Sequence, residues 1–187
     1  TLTPEIKEEI RIELEKMGLI QDLIHSPIQK DIQILESLKN QGITVSQSSE
    51  LKIVNATNNT VSVGIATGPK NGFLGKAFVQ LLTSPKIGYE ALTVILEPNL
   101  AVKPSSLMFP TRKIESMRQA SLFYGPVQSG AAKAFASFLE DGRIPKDSIN
   151  NDVAILALDI DMNLRDRREI TAAAQQAVEL ALGEIWR

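Results

Sequence analysis

The sequence predicts an α+β fold in which strands and helices form two layers, and three observations carry that prediction. Val61, Val63 and Ile65 alternate with smaller residues after a turn-rich stretch, the period-two mark of a strand in a hairpin. VAILALDIDM, within residues 152–162, is a near-continuous apolar run of strand length. Between and after them, apolar residues recur at helical spacing: Leu74, Phe78, Leu81 and Leu82, then Ala131, Ala132, Phe135 and Leu139. The order from residue 51 reads β-β-α-β-β-α-β-α.

At 187 residues with 43% apolar content, the chain can build one ordinary domain plus an extension. Lys+Arg 20 against Asp+Glu 22 leaves a formal charge of −2, so no basic footprint for nucleic acid is present. No apolar run reaches the length of a membrane span, and no signal peptide opens the chain. Without cysteine there is no disulfide, thiolate chemistry or thiolate metal site. The single histidine, His25, excludes multi-histidine metal motifs. The composition fits a soluble cytoplasmic protein.

Taken in order, Thr3-Pro4 is an N-cap followed by proline at the first helical position, and Ile6, Ile10, Leu14 and Met17 then share one helical face. Gly18 is a stop or kink, followed by a short apolar piece from Leu19 to Ile24. Ser26-Pro27 repeats the start signal. Ile28, Ile32, Leu35 and Leu38 give a second stripe ending near Gly42. Residues 1–45 are therefore expected to form a helical hairpin, with His25 in its connection, joined by the polar Ser46 to Glu50 to a main domain over 46–187. Such an appendage either packs on its own domain or docks to a neighbouring subunit.

The main domain opens with a strand at Leu51 to Asn55, a turn from Asn55 to Thr60 and the strand of Val61 to Ile65. The two Asn-x-Thr triplets read as turn chemistry rather than glycosylation. Gly68 to Gly72 is a loop without the Gly-Lys-Ser/Thr of a phosphate loop. The next helix stops before Ser84-Pro85. Asp141-Gly142 ends the helix that Pro126 starts, and Arg165 to Ile185 forms the last one.

One stretch organises the chain: EPNLAVKPSSLMFPTRKIESMRQASLFYGPVQ, Glu97 to Gln128. It leaves the apolar strand Leu92 to Leu96, breaks at Pro98, and runs extended through Lys103-Pro104 and Leu107-Met108-Phe109. It closes on a helix expected to be cut at Gly125-Pro126. Proline fixes φ and removes a donor, so this backbone has few conformations available. Such rigidity serves either to hold a ligand in place or only to pack.

Pro98-Asn99-Leu100, Lys103-Pro104, Leu107-Met108-Phe109, Arg118-Gln119-Ala120 and Phe123-x-Gly125-Pro126-x-Gln128 together resemble the formaldehyde-activating enzymes. The likeness runs without a gap from Gly68-Pro69 to the C-terminal helix and more loosely back to Leu51; the first 45 or so residues have no counterpart. The resemblance implies the ribosomal protein S5 domain 2-like fold and ring-shaped homopentamers. It also implies a carbon–nitrogen lyase activity, the condensation of formaldehyde with the co-substrate tetrahydromethanopterin to the methylene adduct. Formaldehyde adds to a secondary amine unaided. The harder step is loss of water from the carbinolamine, which an enzyme assists by holding the reactants together and protonating the departing hydroxyl. No metal is required.

The resemblance places the family's proton donor, a histidine six residues before Gly-Pro, at Ser62. Serine titrates far outside the working range and cannot replace imidazole as a general acid. A carrier-binding aspartate becomes Gly64, and a leucine lining the site becomes Thr93. A lysine and a threonine past Leu-Met-Phe become Thr111 and Lys113. Only the glutamine, Gln128, is kept. The residues that shape the backbone remain and those that do the chemistry are mostly replaced.

Other groups compete for the vacant role. Asp159 and Asp161 lie two apart on the last strand and face the same way, so one carboxyl can be pushed towards an acid. In the ungapped match Asp161 also stands where the family has a histidine. Against this stands ordinary strand-end solvation, or pairing with Arg165 or Arg167. Lys103 either anchors an anionic tail or snorkels from the loop edge, Lys113 replaces the displaced lysine in space, and Gln128 at a helix N-terminus contacts ligand. The sequence thus supports a homologue condensing formaldehyde with its carrier, or a binding or sensing protein for a pterin or C1 metabolite. A third possibility makes the extension an interaction arm.

Overall fold

The computed structural model describes residues 3–16 and 28–187, with side chains omitted at 14–16. His25, Met17, Gly18, Leu19 to Ile24 and Ser26-Pro27 lie outside the described residues. Helix α1 (Pro4–Lys16) begins as the sequence predicts: the Thr3 hydroxyl accepts from the Ile6 N–H at 3.3 Å. Its Ile6, Ile10 and Ile12 are exposed.

The second predicted helix needs correction. Helix α2 spans only Ile34–Lys39, and residues 28–33 approach it as irregular chain. Ile32, Ile34, Leu38 and Ile43 are all buried, at 1%, 1%, 0% and 4% exposure. The helical stripe over Ile28 to Leu38 therefore marks burial correctly but not its geometry. Each buried aliphatic contributes roughly 1.5–3 kcal/mol. That burial against the sheet sets the path of the segment, overriding local helical spacing.

Strands β1 (Lys52–Thr57) and β2 (Val61–Pro69) form the expected antiparallel hairpin. Asn58 builds its turn, the side-chain oxygen accepting from Thr60 N (2.9 Å) and Val61 N (2.8 Å). Helix α3 (Phe73–Thr83) follows, burying Leu74, Gly75, Ala77 and Leu81 and leaving Leu82 exposed.

The strand expected over Leu92 to Leu96 is split at the fully buried Val94. Strand β3 (Leu92–Thr93) stays in the main sheet, while β4 (Ile95–Glu97) pairs with β5 (Leu100–Ala101) in a separate ribbon. Asn99, at φ 66, turns that ribbon. Strand β6 (Ser105–Pro110) carries Leu107-Met108-Phe109 into the core.

Helices α4 (Met117–Leu122) and α5 (Gln128–Glu140) are joined without a break by a π turn, Phe123–Val127. The expected cut at Gly125-Pro126 is absent. Pro126 lacks an N–H and its ring clashes in a regular α turn, and the widened turn takes it without ending the helix. Phe138 is buried where Leu139 was expected, and Leu139 is exposed. A short helix that the sequence reading missed, α6 (Lys146–Asn151), leads into β7 (Asp152–Ile160), two residues shorter than expected. Helix α7 (Arg167–Ile185) is capped by the Asp166 carboxylate, which accepts from Arg168 N and Glu169 N.

The five-stranded sheet runs β1-β2-β7-β6-β3, with β6 and β7 parallel and the other neighbours antiparallel. The fold is α+β, but the sheet is covered on both faces rather than one. Val61, Val63, Ile65, Met108, Leu156 and Leu158 meet α5 and α7 on the first face. Ala66, Leu107, Phe109, Ile155 and Ala157 meet α3 and the segment from Ile32 to Ile43 on the second. A β-strand alternates its side chains, so a strand with every residue buried needs two covers.

Helices α5 and α7 approach closely at Gly130. A Cβ there would lie 2.4 Å from the Thr171 carbonyl oxygen and 2.8 Å from the Ala174 Cβ. Gly130→Ala is therefore expected to lower stability by about 1–3 kcal/mol in urea denaturation, through overpacking against backbone. Gly142→Ala meets no atom within 4 Å and is strained only by its φ of 68. Its expected cost is about 1 kcal/mol.

Candidate functional site

The second face of the sheet is where the chemistry suggested by the sequence would sit. Ser62 and Gly64 alternate with Val61, Val63 and Ile65, so they point away from α5 and α7. Register places Thr57, Ser62 and Asp159 side by side across β1, β2 and β7. Thr93 pairs with Leu107 and shares this face.

Ser62 is 0% exposed, and its hydroxyl shares a 2.6 Å hydrogen bond with the Thr57 hydroxyl. Asp159, 3% exposed, is held on both oxygens. Arg112 Nε donates to Oδ1 at 2.7 Å, with Arg112 Nη2 also at 2.7 Å, and the backbone N–H of Gln29 donates to Oδ2 at 2.7 Å. Arg112 Nη2 further donates to the Ile160 carbonyl at 2.9 Å. A buried carboxylate is stable only when paired and hydrogen-bonded, and this one is both. Asp159 therefore pairs with Arg112, and neither Arg165 nor Arg167 is its partner. Arg167 Nη1 instead donates to Ser121 Oγ at 3.1 Å, and the guanidinium lies over Gly125.

Gly64 shows why residues 28–33 run where they do. A Cβ built on it would stand 2.9 Å from Ile32 Cγ2 and 3.0 Å from Asn55 Oδ1. The missing side chain makes room for Ile32, so the segment passes over position 64 and is tied at Gln29 to Asp159, the strand neighbour of Ser62.

The other sequence candidates are dispersed. Thr111 gives its N–H (3.0 Å) and its hydroxyl (3.4 Å) to the Leu158 carbonyl. Lys113 is exposed beyond β6 and packs across the Gly88 turn. Asp161 lies just past β7, not on it, where its N–H donates to the Thr60 carbonyl and its Oδ1 accepts from Asn163 N at 3.0 Å. The pair of strand carboxylates does not form: Asp159 is buried in an ion pair and Asp161 shapes a turn.

Gln128 and Lys103 belong to the helix side of the sheet. Gln128 Nε2 donates to the Ile95 carbonyl at 2.5 Å, tying α5 to the β4–β5 ribbon. Because the helix runs on through the π turn, Gln128 stands mid-helix and not at an N-terminus. Lys103 borders a hollow of about 160 Å³ walled by Leu96, Leu100, Phe135 and Leu139. On the second face, a cavity of about 70 Å³ lies against Thr111, with Ser37, Asn40 and Gln41 forming its other wall. Ligand pockets for drug-sized molecules run to roughly 300–1,000 Å³. Among the described residues, the cavities on this face beside Thr111, of about 70 Å³, and beside Leu51 and Leu74, of about 150 Å³, are smaller than that. Among the described residues no group of three or more His, Cys, Asp or Glu converges, and no helix is long and apolar enough to cross a membrane.

Sequence comparison speaks to the ancestry of this arrangement. The profile of the formaldehyde-activating enzyme (Fae) family matches residues 51–185. The chain belongs to that family. It is 36% identical over 120 residues to a bifunctional enzyme Fae/Hps of Methanosarcina acetivorans, a match covering 64% of this chain and 31% of that protein. It is 32% identical over 130 residues to a Fae/Hps enzyme of Methanocella arvoryzae, covering 70% and 33%. A 5,6,7,8-tetrahydromethanopterin hydro-lyase of Methanosarcina barkeri is 29% identical over 120 residues, covering 64% of this chain and 67% of its own. The matched region thus spans about a third of the bifunctional relatives. Residues 28–45, which cover the second face, lie before the matched region.

Arg112 was missed by sequence reasoning. Its only signal was a cation immediately past β6, on the strand that the fold places beside β7. Asp159→Ala is expected to cost about 2–4 kcal/mol by denaturation, because it removes the carboxylate that pairs with Arg112, a third exposed, and accepts from the Gln29 N–H. A second effect concerns Tyr124, whose hydroxyl donates to the Glu90 carbonyl at 2.8 Å. Burial, with the Glu90 carboxylate nearby, pushes its phenol up to about 12. The folded value lies above the unfolded ~10. Its contribution is therefore complete below pH 10 and lost as the pH rises towards 12. Tyr124→Phe should flatten that part of the stability–pH curve.

Proposed function

We propose that this chain is a formaldehyde-activating enzyme homologue that binds a tetrahydropterin C1 carrier, tetrahydromethanopterin or a relative, without the family's acid step. It is a binding or sensing protein for the carrier or its C1 adduct rather than a lyase of normal rate. The observation that carries this reading is Ser62: a hydroxyl where the family has its proton donor, fully buried and already bonded to Thr57. A carbinolamine loses water when its hydroxyl is protonated, and a buried serine supplies no proton at neutral pH. Asp161, engaged in its turn, is a poor substitute.

The remaining candidates take contact roles in this proposal. Gln128 and Lys103 hold the carrier from the helix side, while Thr93, Gly64, Thr111 and Lys113 border it from the second face. Since Gln128 and Ser62 lie on opposite sides of the sheet, a pocket containing both needs two subunits. That requirement favours the ring-shaped homopentamer and the S5 domain 2-like arrangement implied by the resemblance. Residues 46–187 form the family domain and residues 1–45 an added segment in the same proposal, with the cytoplasm as its compartment.

Calorimetric titration with tetrahydromethanopterin tests it. Saturable binding is expected, weakened about tenfold by Gln128→Ala through loss of an amide contact. Formaldehyde consumption in the presence of carrier should match the protein-free rate, and Ser62→Ala should leave it unchanged. Acceleration at neutral pH that Ser62→Ala abolishes would overturn the proposal, as would an absence of binding.

A further inference from the structure

Three features place the N-terminal segment on the surface where the carrier would lie. The Gln29 N–H is bonded to Asp159, the strand neighbour of Ser62. Ile32 fills the space left by Gly64. Asn40, whose carbonyl accepts from Lys86 Nζ at 3.1 Å, lines the cavity of about 70 Å³ beside Thr111 at the far end. A tetrahydropterin laid on Gly64 would need the space that Ile32 fills.

We infer that residues 28–33 are an autoinhibitory strap on the carrier face, competing with the carrier for the surface around Ser62 and Gly64. The inference rests on the reading that the chain binds a carrier. The strap is built to release at its leading end. Gln29, Lys30, Asp31 and Gln33 are exposed, and Ile32 is its one fully buried side chain. From Ile34 onward the segment is anchored by Leu38 and Ile43 in the cluster with α3. Residues 28–33 can therefore lift while 34–43 stay packed. The apparent carrier affinity is then the intrinsic affinity multiplied by the fraction of molecules with the strap lifted.

Hydrogen exchange and carrier titration on the full chain test this. Saturating tetrahydromethanopterin is expected to speed amide exchange across residues 29–33 while α5 and α7 are unaffected. Gln29→Pro, which removes the donated N–H, and Asp159→Asn, which weakens the acceptor, should each tighten carrier binding about tenfold. Two variants altering opposite ends of one hydrogen bond guard against misfolding of either. Carrier binding with exchange at 29–33 unchanged and with both variants at wild-type affinity would overturn the strap and leave the proposed function standing. If neither wild type nor either variant binds the carrier, the proposed function falls and the strap with it.

Discussion

One buried carboxylate ties the leading end of the N-terminal segment to the second sheet face. Asp159 holds Arg112 with one oxygen and the Gln29 backbone with the other. Taking a carboxylate out of water costs several kcal/mol unless it is paired and hydrogen-bonded. The residue is thus committed to gathering β6, β7 and the segment at one point. Everything around it is consistent with that closure: Gly64 gives Ile32 room, Thr57 satisfies the Ser62 hydroxyl, and Ala66 and Ala157 keep the surface low. Ser62 and Asp159 are buried on this face as a result.

The opposite face carries the packing constraints of the family domain. Met108 is fully buried there, Pro126 is absorbed by a π turn, and Gly130 lets α5 and α7 approach to backbone contact. Each is a constraint of packing or backbone geometry, and relaxing any one shifts a whole element. Positions 62, 64 and 93 carry no such constraint from the helices.

Much of this was legible in the sequence. Period-two alternation located β2, Asn58 marked the hairpin turn, Thr3-Pro4 marked the start of α1, and the motif stretch identified the family. Where the reading failed, tertiary contacts had overridden local pattern. Ile32 and Leu38 share a helical spacing, yet residues 28–33 are irregular because the sheet surface, not a helix axis, receives Ile32. Gly125-Pro126 looks like a break, but a one-residue widening of the turn restores the hydrogen-bond ladder. Asp159 and Asp161 look like an acid pair until β7 ends between them. The partnership of Asp159 with Arg112 joins residues 47 apart in sequence, and no local signal reports it.

The most direct measurement of the central claim exploits the absence of cysteine from the chain. Ser62→Cys introduces a single thiol at the position to which the resemblance assigns the acid, and Met117→Cys provides a control on a side chain that is 85% exposed. The account predicts that an aqueous thiol reagent modifies position 62 at least a hundredfold more slowly than position 117, since reaction must wait for local opening. Modification of both positions at similar rates in the folded protein would show that the acid position is open, and would contradict the account.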